Sequence, residues 1–311
     1  MVHRSFPLAV SPARLRHAAP HPWRDARLPH ARHGRAAWPA LVLALTASLF
    51  FCAPARAADV RVDVQLVLAV DVSYSMDPDE QALQREGYAA ALIAPEFLDA
   101  LRTGPQGRIA VTYVEWAGEH EQRVVIGWSL IDGPASAKTV SDAILASPLR
   151  RVYRTSISGA LLFSAGLFEN SGYRGLRKVI DVSGDGVNNQ GPLVEQARDA
   201  VVARGITING LPLVFKRSGN SALDVPDLDL YYEDCVVGGA GAFVIPVRST
   251  AEFARAIKTK LVLEVAGLRL PSGPQPVPAR AQDRAPVIPA VEPARVSCTI
   301  GERLWQQNWN N

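Results

Sequence analysis

Asp71-Val72-Ser73-Tyr74-Ser75 carries the most specific chemistry in this chain of 311 residues. In an extended backbone, side chains two residues apart point the same way, so Asp71, Ser73 and Ser75 converge on one point. One carboxylate with two hydroxyls is an all-oxygen set suited to a hard cation such as Mg²⁺. Alone the pattern is weak, because Asp and Ser between a strand and a helix also satisfy turn backbone. Two further segments add weight. Thr155 opens Thr155-Ser156-Ile157-Ser158-Gly159-Ala160-Leu161 at the start of an apolar stretch, where its ordinary role would be a helix cap. Asp185 lies in Ser183-Gly184-Asp185-Gly186, where its ordinary role would be a turn aspartate.

The elements that must position these residues alternate along the chain. Val62–Val70 is a near-continuous apolar run, the pattern of a strand buried on both faces. Asp77-Pro78-Asp79-Glu80 then gives a helix start with an acceptor at N-cap, Pro at N1 and Glu at N3. Arg108–Trp116 and Arg123–Leu130 read as strands joined by a short link, hence a hairpin whose second member is an antiparallel edge. Helices are expected over Ser136–Ala146, Ser156–Phe168, Val194–Arg204 and Thr250–Val265, with a short one over Leu228–Cys235. Strands are expected over Lys178–Ser183, Ile206–Val214 and Ala242–Val247. Alternation of this kind predicts an α/β fold, a doubly wound and mostly parallel six-stranded sheet with helices on both faces. Asp71, Thr155 and Asp185 then share the carboxyl edge of the sheet, where such folds bind ligands.

At these residues the chain resembles the von Willebrand factor type A domain with its metal-ion-dependent adhesion site. Asp71-x-Ser73-x-Ser75, Thr155 and Asp185-Gly186 match that site in order, and the resemblance covers about residues 60–266. Tyr113-Val114-Glu115-Trp116 and Ser183-Gly184-Asp185-Gly186 also resemble an exported bacterial family of unknown function with this fold. The resemblance implies a strand order 3-2-1-4-5-6 with strand 3 antiparallel, and a bound Mg²⁺ or Mn²⁺. It implies that Ser73, Ser75 and often Thr155 touch the ion, while Asp71 and Asp185 act through water. In related domains the last helix, here Thr250–Val265, can shift when ligand enters. An ion held mostly by neutral hydroxyls keeps uncompensated charge, and an open octahedral position suits a carboxylate. The expected function is therefore a divalent-metal-dependent protein-binding module whose partner supplies an Asp or Glu, with no catalytic residue.

Two other classes compete. One is a Mg²⁺-dependent hydrolase or phosphatase using Asp71. Ser73 stands where an aspartyl-phosphate enzyme carries its second Asp, and no lysine lies near the motif. The other is a scaffold whose metal site does not function. A histidine-dependent hydrolase is disfavoured, since five of the six His precede residue 34 and only His120, in a charged turn, follows. Nucleic-acid binding is disfavoured by charge: residues 58–311 hold 25 bases against 29 acids. Among lesser candidates, Glu115 reads as a strand-end charge facing solvent, or else as a residue orienting a metal-bound water. Asn188 and Asn189 read as turn residues or as part of a rim. Tyr74, Trp116 and Tyr153 read as core or as an aromatic rim. Arg150, Arg151 and Arg154 read as a solvated basic face or a lure for an acidic partner.

The flanks point to export. Residues 1–57 carry eight Arg, no Lys and one acid, a long basic leader. Twenty uncharged residues lie between Arg35 and Arg56, and Ala55-Arg56-Ala57 offers the small-x-small pattern of a cleaved signal peptide; an uncleaved anchor is the alternative. Cleavage leaves a periplasmic or secreted protein with no stable membrane span. Cys235 and Cys298 then remain, either paired in an oxidising compartment or as two separate thiols. Pairing would close a loop worth about 4 kcal/mol in the chain-entropy model. The domain expected over 58–267 is followed by a linker, 268–295, with seven prolines, and by a tail, 296–311, which could dock through Cys298.

Overall fold

Strand β1 (Val60–Asp71) is central to the fold because, from Val62 onward, its side chains are dry on both faces. Val64, Leu66, Leu68 and Val70 enter one core, while Val67 and Ala69 enter the other. That split is the period of two of an extended chain, and each fully buried Val or Leu contributes about 1.5–3 kcal/mol. The computed structural model describes residues 59–214, 225–267 and 296–309, all within one compact unit, Ala57–Asn311. The leader with its signal, the linker 268–295 and the last two tail residues lie outside the described residues.

Chain order continues with α1 (Pro78–Leu92), α2 (Pro95–Arg102), β2 (Ile109–Trp116), β3 (Gln122–Ile131), α3 (Pro134–Ala146) and α4 (Ile157–Leu167). Then come β4 (Tyr173–Gly184), α5 (Val194–Val202), β5 (Thr207–Pro212) and a short α6 (Leu228–Tyr231) that runs into a π-helical turn, Tyr232–Val236. A 3₁₀ turn (Thr250–Glu252) leads into α7 (Phe253–Ala266), and α8 (Ile300–Trp309) follows. The sheet order is β3-β2-β1-β4-β5, with β3 antiparallel and the rest parallel. Helices α1, α2, α3 and α7 pack on one face; α4, α5 and α6 pack on the other.

The sheet has five strands, not the six expected. The expected sixth, Ala242–Val247, lies beside β5 in one constant parallel register but makes only isolated bridges, Gly210 to Val244 and Leu213 to Val247. In that register the amide of residue 212 should donate to Ile245. Residue 212 is proline and has no N–H, so the ladder breaks between the two bridges. Two features go beyond the sequence pattern. Helix α2 is additional, and β4 begins at Tyr173, where polar residues pair with the start of β1.

The described tail docks onto the domain. Cys235 in the π-helical turn is bonded to Cys298, with Cα atoms 5.4 Å apart. Peptide mapping under non-reducing conditions is expected to recover these two cysteines joined; two free thiols would contradict the bridge.

Under α7 lies a buried ionic cluster. Lys260 is fully buried, with Nζ 2.7 Å from Asp181 Oδ1 on β4 and 2.6 Å from Glu264 Oε1 one turn along. One ammonium cannot balance two buried carboxylates. Burial, more than the nearby Glu264, pushes Asp181 up to about 7, although Lys260 draws it down. Lys260 itself is held above its usual range: burial opposes its charge, and Asp181 and Glu264 outweigh that. Replacing Lys260 by Ala strands both carboxylates and is expected to cost about 3–5 kcal/mol in urea unfolding. A raised folded pKa gives stability that is complete below the unfolded value, about 3.9, and lost as pH rises through about 7. Asp181→Asn is therefore expected to gain stability relative to wild type between those pH values.

Candidate metal centre

Asp71 is the last residue of β1 and is fully buried. Its Oδ1 accepts a hydrogen bond from the Ser73 amide at 2.7 Å, the turn role that Asp commonly fills. Its Oδ2 is buried with no hydrogen-bond partner. Burial, and then the nearby charge of Asp185, pushes the Asp71 carboxyl up to about 8. Ser73 Oγ lies 2.9 Å from Ser75 Oγ, and Ser75 Oγ donates to Asp185 Oδ1 at 2.6 Å. Two strand ends are thus joined through three side chains.

The floor of this cluster explains one glycine. A methyl group on Gly184 would sit 2.8 Å from Asp71 Oδ2, 3.0 Å from Tyr232 Oη and 3.2 Å from Trp116 Cζ2. Only a residue without Cβ lets β4 pass this close to the carboxylate. Trp116 is fully buried here, so it belongs to the core and not to a rim.

Thr155 arrives from the second loop. Val152 donates its amide to Val72 O at 3.0 Å, pairing this loop with the chain just beyond β1. The helix-cap role open to Thr155 is filled by Ser156, whose Oγ accepts from Gly159 N at 3.1 Å. Thr155 is buried beside the third loop: a Cβ on Gly186 would lie 3.8 Å from Thr155 Oγ1. Asn189 Oδ1 accepts from the Thr155 amide at 3.1 Å, and Asn189 N donates back to Thr155 O at 2.9 Å. Asn188, fully buried, accepts on Oδ1 from Ser158 N and Ser158 Oγ at 3.0 and 3.1 Å. From sequence these two asparagines read only as turn or rim residues. Their partners in the second loop lie 30 or more positions away, which local pattern does not reveal.

Other candidates fall differently. Glu115 is not a solvent-facing strand end: it is 1% exposed and paired with Arg85, whose other nitrogen donates to Ser147 O. The correction follows from β2 being buried along its whole length. His120 is exposed. Arg150 pairs with Glu121. Tyr74 and Tyr153 are 48% and 68% exposed and stack at 4.5 Å, while the Arg151 guanidinium lies 4.0 Å from the centre of the Tyr74 ring.

This arrangement fits a hard cation on its own terms. Hydroxyls of Ser73 and Ser75 and the carboxylate of Asp185 are linked at one sheet edge, Thr155 lies beside Gly186, and a buried oxygen of Asp71 there lacks any partner. No group of three or more His, Cys, Asp or Glu that could hold a metal exists among the described residues; the side chains linked at this edge offer hydroxyl and carboxylate oxygens.

Strand order and register make this a von Willebrand factor type A-like α/β fold. The chain belongs to the family described as "Protein of unknown function (DUF1194)", whose model matches residues 61–269. Similar solved structures include proximal thread matrix protein 1 from the mussel byssus, at 16% identity, TM-score 0.46 and 67% coverage of this chain. A second form of that protein, at 14% identity and TM-score 0.45, has a zinc-occupied MIDAS motif and also covers 67% of this chain. A von Willebrand factor type A protein from Catenulispora acidiphila matches at 16% identity, TM-score 0.47 and 67% coverage. The chain spans 49% of the mussel protein in both forms and 43% of the Catenulispora protein. At these identities and scores the matches add nothing to the strand order and register of the chain itself. Comparison with curated proteins gave no match.

Gly184→Ala is expected to push against Asp71 and Tyr232 and to cost about 1–3 kcal/mol in urea unfolding. An unchanged midpoint would show that β4 has room to retreat.

Proposed function

We propose that this is an exported, divalent-metal-dependent protein-binding module. Asp71, Ser73, Ser75, Thr155 and Asp185 hold Mg²⁺ or Mn²⁺, and an Asp or Glu of a partner protein completes the coordination. The observation that carries this reading is the buried, unpartnered Asp71 oxygen beside a hydroxyl relay that ends on a second carboxylate. A divalent cation there would favour the ionised Asp71 and offset its repulsion with Asp185. When bound, the ion supplies a Lewis-acidic point for an incoming carboxylate. The chain's own residues do the rest: hydroxyls contribute neutral oxygens, the two carboxylates contribute charge, and Gly184 and Trp116 keep the floor dry.

The exposed Tyr74–Tyr153 stack supports partner binding. Its residues neighbour Ser73, Ser75 and Thr155 in sequence, so a partner reaching the ion meets an aromatic and cationic edge. Residues 1–57 are assigned as a cleaved leader, 268–295 as a linker and the whole as periplasmic or secreted. The Cys235–Cys298 bridge suits an oxidising compartment. No helix among the described residues is long and apolar enough to cross a membrane.

Calorimetric titration with MgCl₂ or MnCl₂ tests the metal. Binding is expected in wild type and lost in Asp71→Ala and Ser73→Ala, and Mg²⁺ at a hundredfold excess over Kd should stabilise the fold by about 2.7 kcal/mol. No heat with wild type would leave only a scaffold. Pull-down from an exported fraction should retain a partner with Mg²⁺ and lose it with chelator. Tyr153→Ala should weaken retention while leaving the Mg²⁺ titration unchanged. Turnover of a generic phosphate ester would instead favour the hydrolase.

A further inference from the structure

We propose that α8 is a built-in clamp that sets the two loops carrying Thr155 and Asp185; its bearing on the metal rests on the function proposed above. α8 reaches both loops. On the third loop, Glu302 Oε1 accepts from Asn188 Nδ2 at 2.8 Å, and Asn188 is the residue that grips Ser158 at the start of α4. The fit there leaves no slack: a Cβ on Gly301 would fall 2.0 Å from Asn188 O. On the second loop, the ring of Trp305 lies 3.4 Å from the Arg154 guanidinium carbon. Arg154 is the residue before Thr155, and its φ of 80° is in the left-handed region that non-glycine residues seldom adopt. Such a conformation persists only when its surroundings over-determine it. Trp305 is one of those surroundings.

The tether makes the clamp conditional. Cys298 lies two residues before α8, and its bond to Cys235 pins the segment beside the core residues Tyr231 and Tyr232. Tyr231 Oη in turn accepts the Asn188 amide at 3.2 Å. Bridge, Asn188 and Arg154 thus form one connected set, in which Trp305 and Glu302 are positioning residues that touch no proposed ligand oxygen. Reduction by a dithiol, which takes the bridge to two thiols and leaves the reductant as a disulfide, would free α8 from its anchor.

The full chain tests this by hydrogen exchange and by calorimetric Mg²⁺ titration. In Trp305→Ala, in Glu302→Ala and in dithiothreitol-treated wild type, amides of 154–158 and 186–190 are expected to exchange about tenfold faster or more, while β1 and β4 stay protected. Mg²⁺ affinity is expected to fall about 10- to 100-fold. Trp305→Phe and Glu302→Gln, which keep a ring face and an acceptor, should restore both. Unchanged loop exchange in the alanine variants overturns the clamp. Equal loss of protection in β1 also overturns it, because α8 would then hold the whole fold rather than the loops. Wild type that binds no Mg²⁺ overturns the metal reading separately, and the exchange rates of the two loops then decide the clamp by themselves.

Discussion

A carboxylate driven into the dry end of a doubly buried strand governs this protein. Asp71 ends β1 where both cores close over the backbone, and one of its oxygens has no partner. Such a group is costly to ionise unless something compensates it. The Ser73 amide compensates in part. The remaining geometry reads as an answer to the same problem. β4 is stripped to glycine at residue 184 to pass the carboxylate, and Ser73 and Ser75 lead from it towards Asp185. Under the proposed function, a cation shared by the two acids turns this liability into a binding point.

Holding three loops in register takes amides rather than charges. Asn188 and Asn189 use both side-chain and backbone groups to join the second loop to the third. Because these bonds are buried, a broken one leaves an unsatisfied polar group, so the loops move together or not at all. The outer side differs in character. There the exposed tyrosine pair forms a ledge of large, stiff rings, which lose little entropy when covered, with the Arg151 guanidinium over Tyr74.

Much of this is legible from residue order alone. Asp71, Ser73 and Ser75 are close in sequence and share one face of a strand end, so their meeting follows from a local period. The capping box at Asp77 and Glu80 is equally local, and it forms as read. What escapes is long-range. Arg85 and Glu115 are thirty residues apart, and their pairing buries a charge that reads as solvated. The first half of β4 carries Arg174, Arg177 and Lys178 with no apolar run, so its pairing with β1 leaves no hydrophobic trace. The missing strand turns on a single absent hydrogen, that of Pro212, in a segment otherwise apolar enough to pair.

The ammonium beneath α7 also fixes how far that helix can travel. Sliding α7 by one turn, about 5.4 Å, would bring Ala256 or Glu264 opposite Asp181 in place of Lys260. The first exchange leaves an acid facing a methyl group, and the second sets two acids against each other. Either register takes the buried Asp181 away from its cation, so the ion cluster opposes a one-turn slide of α7.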